Sequence, residues 1–189
     1  MRRLKDYYNI ANWVLDRFVN EMVLIEGDRP LADIIKAHPK LIGVFNHGPA
    51  ISPLIYCFSA LKHYCQAGGA DRVPVAVTHR LFYKFPILKQ VATYITQLDY
   101  APRCDELVQL FSEPAYNDLM VMPEGDHSAF GNGLEVAPFR THRFIEIAFR
   151  TQTPLLLCAQ TGAETWCYPF SVDTLRWDRW INYLPQGIK

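Results

Sequence analysis

The 189 residues are half apolar and one-fifth charged, a balance that suits a single globular domain and excludes a disordered chain. Nineteen Lys and Arg offset nineteen Asp and Glu, so the overall positive charge expected of a nucleic-acid binder is missing. The five cysteines, Cys57, Cys65, Cys104, Cys158 and Cys167, show no CxxC pair or metal-ligand spacing and read as buried reduced thiols.

Met1-Arg2-Arg3 is followed by Lys5, Asp6 and Asp16 rather than by a long apolar region, so no secretory signal is visible. Residues 7–25 then repeat apolar positions at helical spacing: Tyr7, Ile10, Ala11, Val14, Leu15, Phe18, Val19 and Met22. Two readings of this amphipathic helix stay open. It packs on its own domain, or, with Arg2, Arg3 and Lys5 ahead of it and Trp13 in its middle, it lies in a membrane interface.

A turn around Gly27-Asp28-Arg29-Pro30 leads to a short helix at residues 31–37 and to a first buried strand at residues 41–46. The uncharged run 41–61 is long enough to span a bilayer, but Asn46, His47, Gly48, Pro49 and Pro53 interrupt it. It therefore reads as strand, loop and a helix over residues 53–64, ended by Gly68-Gly69. Strands are expected at residues 73–77, 93–98, 118–122 and 154–159. Helices are expected within 81–92 and over 104–113 and 142–150.

Alternating strands and helices with short links predict an α/β fold, a mainly parallel or mixed central sheet with helices on both faces and an N-terminal amphipathic helix. This divides the chain into an N-terminal helical segment, residues 1–40, and an α/β domain, residues 41–189. The tail from Trp177 to Lys189 reads as the entry to another strand, as if the frame were truncated.

Two loops carry chemistry. His47 follows Asn46 at the carboxyl end of the first strand, where open α/β sheets place their ligands. Ser52-Pro53 suits the start of a helix, with Ser52 as N-cap and Pro53 at the first helical position. Pro123-Glu124-Gly125 follows another strand, with Gly125 permitting a left-handed turn and Glu124 set at the sheet edge to meet a substrate hydroxyl.

Asn46-His47, with Ser52-Pro53 five and six residues beyond the histidine, and Pro123-Glu124-Gly125-Asp126-His127-Ser128 resemble the first and third motifs of the lysophospholipid acyltransferase superfamily, the glycerolphosphate and 1-acylglycerol-phosphate acyltransferases. Phe139-Arg140 resembles a connecting segment of that family, and Pro154-Leu155-Leu156-Leu157 resembles its fourth motif. The likeness covers residues 41–162. It implies transfer of a fatty acyl group from acyl-CoA or acyl-carrier protein, used as co-substrate with no further cofactor or metal, to a lipid hydroxyl or amine at the cytoplasmic face of a membrane. On that resemblance His47 is the general base, and Asn46, Glu124, Gly125, His127 and Ser128 form the acceptor site.

Three departures mark this chain. Ser52 stands where the family has the Asp that orients the histidine, which makes Ser52 the candidate second catalytic residue and Asp99 and Asp126 the candidate replacement acids. Tyr100 and His127 stand where the family has phosphate-binding arginines, leaving Arg103, Arg140 and Arg143 as nearby substitutes. The implied acceptor is a less anionic lipid than lysophosphatidate. The rival readings are a non-catalytic lipid- or acyl-carrier-binding homologue and a thioester hydrolase. No G-x-S-x-G elbow supports a serine esterase, and the histidines do not fall in a zinc-binding pattern.

Overall fold

The computed structural model describes residues 1–49, 51–125, 128–129, 135–139 and 141–162. Four parallel strands, β1 (Leu41–Phe45), β2 (Pro74–Ala76), β3 (Asp118–Val121) and β4 (Leu155–Cys158), form one sheet in the order β2-β3-β1-β4. Register pairs Leu41 with Asp118 and Val44 with Val121 on one side of β1, and Ile42 with Leu155 and Phe45 with Cys158 on the other. The expected α/β class with a parallel sheet is what the chain adopts.

The alternation of side chains along β1 builds the two faces. Ile42 and Val44 pack with Leu119 and Val121 under Leu107 and Phe111 of α5 (Cys104–Ser112) and Phe144 and Ile147 of α6 (Arg143–Thr151). Leu41 turns to the other face, against Leu15 of α1 (Tyr8–Phe18) and Ile55, Phe58 and Leu61 of α3 (Ser52–Tyr64). Phe45 joins Ala60 and Met120 on that side, and Gly43 makes room for it: a Cβ at Gly43 would lie 2.7 Å from the Phe45 ring.

Residues 1–40 share this core rather than standing apart. Leu4, Tyr7, Ala11, Val14 and Leu15, with Leu31 and Ile35 of α2 (Leu31–Ala37), are buried in one cluster with α3. The helix ends earlier than its hydrophobic period suggested, because Val19 is extended and closes the helix by donating to Leu15 O; residues 19–25 carry on without helix. The strand expected at 93–98 is instead the last part of α4 (Pro86–Thr96), which ends on left-handed Gln97. Thr93, Ile95 and Thr96 give that stretch a β-branched look. Pro86 in the first turn and the burial of Ala92 and Thr96, one helical turn apart, decide it as helix.

At the amino end of the sheet, Asp118 takes two bonds from Arg72 (2.8 and 2.7 Å), whose remaining N–H groups reach Ile35 O and His38 O at the end of α2. Both partners are buried. At the carboxyl end, β1 continues through α3 to β2, passing over β3, while β3 continues through α6 to β4, passing over β1. The connections leave two neighbouring strands in opposite directions, the topology at whose carboxyl ends open α/β sheets place their ligands. Asn46-His47 and Met122-Pro123-Glu124 leave the sheet there. The chain beyond Gly162, including the tail whose strand-like entry was expected, lies outside the described residues.

Candidate active site

Sequence dictates a sharp exit from each strand. After His47, Gly48 adopts φ +64°, and a Cβ there would sit 2.9 Å from the Tyr56 ring and 3.0 Å from Ser52 Cβ. After β3, Gly125 N–H donates to Met122 O at 3.2 Å, closing a turn with Pro123 at its second position; Gly125 itself has φ +75°. The left-handed turn expected of Gly125 is present.

Glu124 joins the two loops. Its Oε1 accepts the His47 backbone N–H at 3.1 Å, and its Oε2 accepts the Ser128 hydroxyl at 2.8 Å and the Ala137 N–H at 3.1 Å. With 1% of its surface exposed and both oxygens engaged, Glu124 does not face a substrate hydroxyl; it clamps the histidine loop to the loop beyond β3. Ser128, also buried, holds Glu124 rather than a ligand.

Asn46 is likewise a positioning residue. Its side-chain amide donates to Gln160 O at 2.8 Å and accepts Gln160 N–H at 2.7 Å, extending the β1–β4 pairing one step past the sheet. Gln160 Nε2 in turn donates to Tyr56 O at 3.2 Å, which ties the loop after β4 to α3.

The half-buried His47 ring remains for chemistry. Its Nδ1 lies 2.9 Å from Gly48 O. A carbonyl oxygen only accepts, so this bond places the ring proton on Nδ1 and leaves the Nε2 lone pair to take a proton. A backbone carbonyl here holds the tautomer that a carboxylate was expected to hold.

Ser52 does not take that role. It is fully buried, and its hydroxyl and N–H both donate to Pro49 O. Nor is it the N-cap: it is the first residue of α3, with Ile51 at the cap position, and its hydroxyl reaches back three residues to close the turn. Of the two replacement acids, Asp99 is exposed beyond the end of α4, where its charge acts on the Tyr83 hydroxyl. Asp126 lies outside the described residues, as do His127 and Arg140.

Arg103 is exposed at the start of α5, its N–H bonded to Glu106 at 2.6 Å; Asp105 beside it pairs with Arg150 in the last turn of α6, which leads to the amino end of β4. That places Arg103 at the α5–α6 contact and not with His47. Tyr100 is exposed. Among the described residues no three His, Cys, Asp or Glu side chains gather as metal ligands. The four described cysteines are unbridged, and burial pushes the Cys57 thiol up to about 12 and that of Cys158 to about 11, which makes both poor nucleophiles.

A groove of about 620 Å³ runs beside this site, with Phe18, Met22, Ile55, Tyr56, Leu156 and Gln160 among its walls. Tyr56 and Gln160 are also the residues that brace Gly48 and Asn46, so the groove shares two walls with the supports of the histidine loop. Sequence reasoning missed Gln160, Ala137 and the Gly48 carbonyl. The last had one legible signal, a glycine directly after the histidine.

No protein-family model, curated protein or solved structure matches this chain.

Proposed function

We propose that the protein is an acyltransferase that moves a fatty acyl group from a thioester, acyl-CoA or acyl-carrier protein, to a hydroxyl or amine of a lipid acceptor at a membrane face. The observation that carries this reading is the bond from His47 N–H to Glu124 Oε1, which brings together the two loops whose motifs resemble the lysophospholipid acyltransferases. It is supported by the ring's Nδ1 contact with Gly48 O, which suits Nε2 to general-base work.

In this mechanism the acceptor hydroxyl gives its proton to His47 Nε2 as its oxygen attacks the thioester carbonyl. The new C–O bond forms, the C–S bond breaks, and the proton passes from His47 to the departing thiolate. Catalysis is then mostly orientation, plus a general-base contribution of about 10²–10⁴ in rate. The acyl chain lies in the groove beside α3. Tyr100, in place of an arginine, favours a neutral lipid or alcohol acceptor over lysophosphatidate.

Thiol release from acyl-CoA, followed with and without a panel of acceptor lipids, tests this. Release that depends on an acceptor and prefers neutral ones is the expected result. Release without acceptor would instead make the protein a hydrolase.

A second reading, a lipid- or acyl-carrier-binding protein without activity, is favoured by one observation: Ser52, where the resemblance expects the acid, is spent on Pro49 O. Binding of acyl-CoA with no thiol release under any acceptor would establish it.

A further inference from the structure

The chain from Arg72 to Leu98 contains no Asp or Glu, yet carries Arg80, Lys84 and Lys89. In the same stretch Phe82, Phe85, Ile87, Leu88 and Val91 are exposed, Ile87 by 77%. Val91 falls one helical turn beyond the adjacent Ile87 and Leu88 on α4, whose Ala92 and Thr96 are the buried positions. Large apolar side chains with Arg80 and Lys89 among them, and no carboxylate in the same stretch of sequence, suit an interface of apolar and anionic groups.

The placement gives this patch its meaning. Val77 N–H bonds to Met120 O, so the chain leaves β2 at the carboxyl edge of the sheet, the edge that carries His47, and passes through a 3-10 turn (Arg80–Tyr83) into α4. The far end of α4 is fixed at the other edge, where Gln97 Nε2 donates to Pro74 O at 2.7 Å. The first turn of α4, with Ile87 and Leu88, and Phe85 before it are therefore on the His47 side, while the Tyr83 hydroxyl reaches back to Thr96 Oγ1 at 3.0 Å.

The exposed apolar residues of α1 make a poorer candidate. On α1, Ile10, Trp13 and Phe18 sit among Asn9, Asp16 and Arg17, and the Arg17 guanidinium lies 4.0 Å over the Trp13 ring. The rest of that helix's apolar face is buried against α3.

We infer that the surface formed by residues 80–91 docks on a lipid bilayer bearing anionic headgroups, and so turns the His47 edge of the sheet toward the membrane. The acyltransferase reading supplies the purpose of this docking but not its chemistry, which rests on the patch alone. Asp99, beyond the far end of α4, is the nearest acid in sequence on that side, and its charge acts on the Tyr83 hydroxyl, which turns inward to Thr96 Oγ1 at 3.0 Å rather than joining the exposed apolar side chains.

Co-sedimentation of the full chain with phosphatidylcholine vesicles, with and without phosphatidylglycerol, tests the inference without acyl donor, so its outcome is independent of any turnover result. The wild type is expected to pellet with the phosphatidylglycerol vesicles and to be released by salt. Ile87→Ser/Leu88→Ser/Val91→Ser should lower the partition coefficient at least about tenfold, and Arg80→Gln/Lys89→Gln about fivefold per charge removed. Trp13→Ser should pellet as the wild type does. Every substituted side chain is exposed, so circular dichroism should be unchanged; should the triple variant misfold, the charge variant decides.

A wild type that stays in the supernatant overturns the inference, as do patch variants that pellet fully. Loss confined to Trp13→Ser would move the membrane contact to α1 and overturn it equally. So would vesicle binding that survives in the patch variants while their retention on immobilised acyl-carrier protein is lost, since the surface would then belong to an acidic protein.

Discussion

Replacing Glu124 by Gln keeps the side chain's shape but turns one of its two accepting oxygens into a donor. His47 N–H occupies one oxygen and Ser128 Oγ and Ala137 N–H the other, so at least one buried donor loses its acceptor. Glu124→Gln should lower stability by about 1–3 kcal/mol in urea unfolding and lower kcat by letting the histidine loop drift. Ser52→Ala separates a structural from a catalytic serine. Its hydroxyl serves Pro49 O, so the variant should lose about 1 kcal/mol of stability and keep its kcat. Gly48→Ala should affect both properties: the left-handed backbone costs about 1–2 kcal/mol, and the added methyl presses on Tyr56 and Ser52, so melting temperature and kcat should fall together.

Among the elements, the Arg72–Asp118 pair fixes α2 to the start of β3, and both groups are out of water. Burial raises the Asp118 pKa above its usual range, while Arg72 opposes the shift. Arg72→Met leaves the carboxylate uncompensated and should cost about 3–5 kcal/mol near neutral pH. The sign of the pH effect follows from that raised pKa. Without Arg72 the shift grows, so the folded variant takes up a proton on Asp118 before the unfolded chain does. Its deficit relative to wild type should therefore narrow as pH falls through the raised value toward the ordinary Asp value of about 3.9. A deficit that stays constant over that window, in urea titrations at several pH values, would mean that Asp118 is not the group left exposed to the penalty.

For the molecule as a whole, the fold was legible wherever hydrophobic pattern and turn residues agreed. The run Leu41–Phe45 bounded by Asn46 gave β1, and Pro53 with the following apolar residues gave α3. It was illegible where local chemistry points the wrong way, as in Thr93, Ile95 and Thr96, whose β-branched side chains look like strand but finish α4 against the edge of the sheet. The site was half legible. The two loops could be found from residue types at strand ends, but the amide of Asn46 finds its partner 114 residues away on the backbone of Gln160, and such a contact leaves no local pattern. For the same reason Glu124 looked like a substrate ligand: only the fold shows three donors closing on it.

In the proposed mechanism His47 Nε2 takes the acceptor's proton, with Nδ1 held by a carbonyl instead of a carboxylate. The most direct measurement is acceptor-dependent thiol release from acyl-CoA by His47→Ala beside the wild type, at matched thermal stability. The expected result is a fall of about 10²–10⁴ in rate with little change in melting temperature. Equal rates in the two proteins would contradict it.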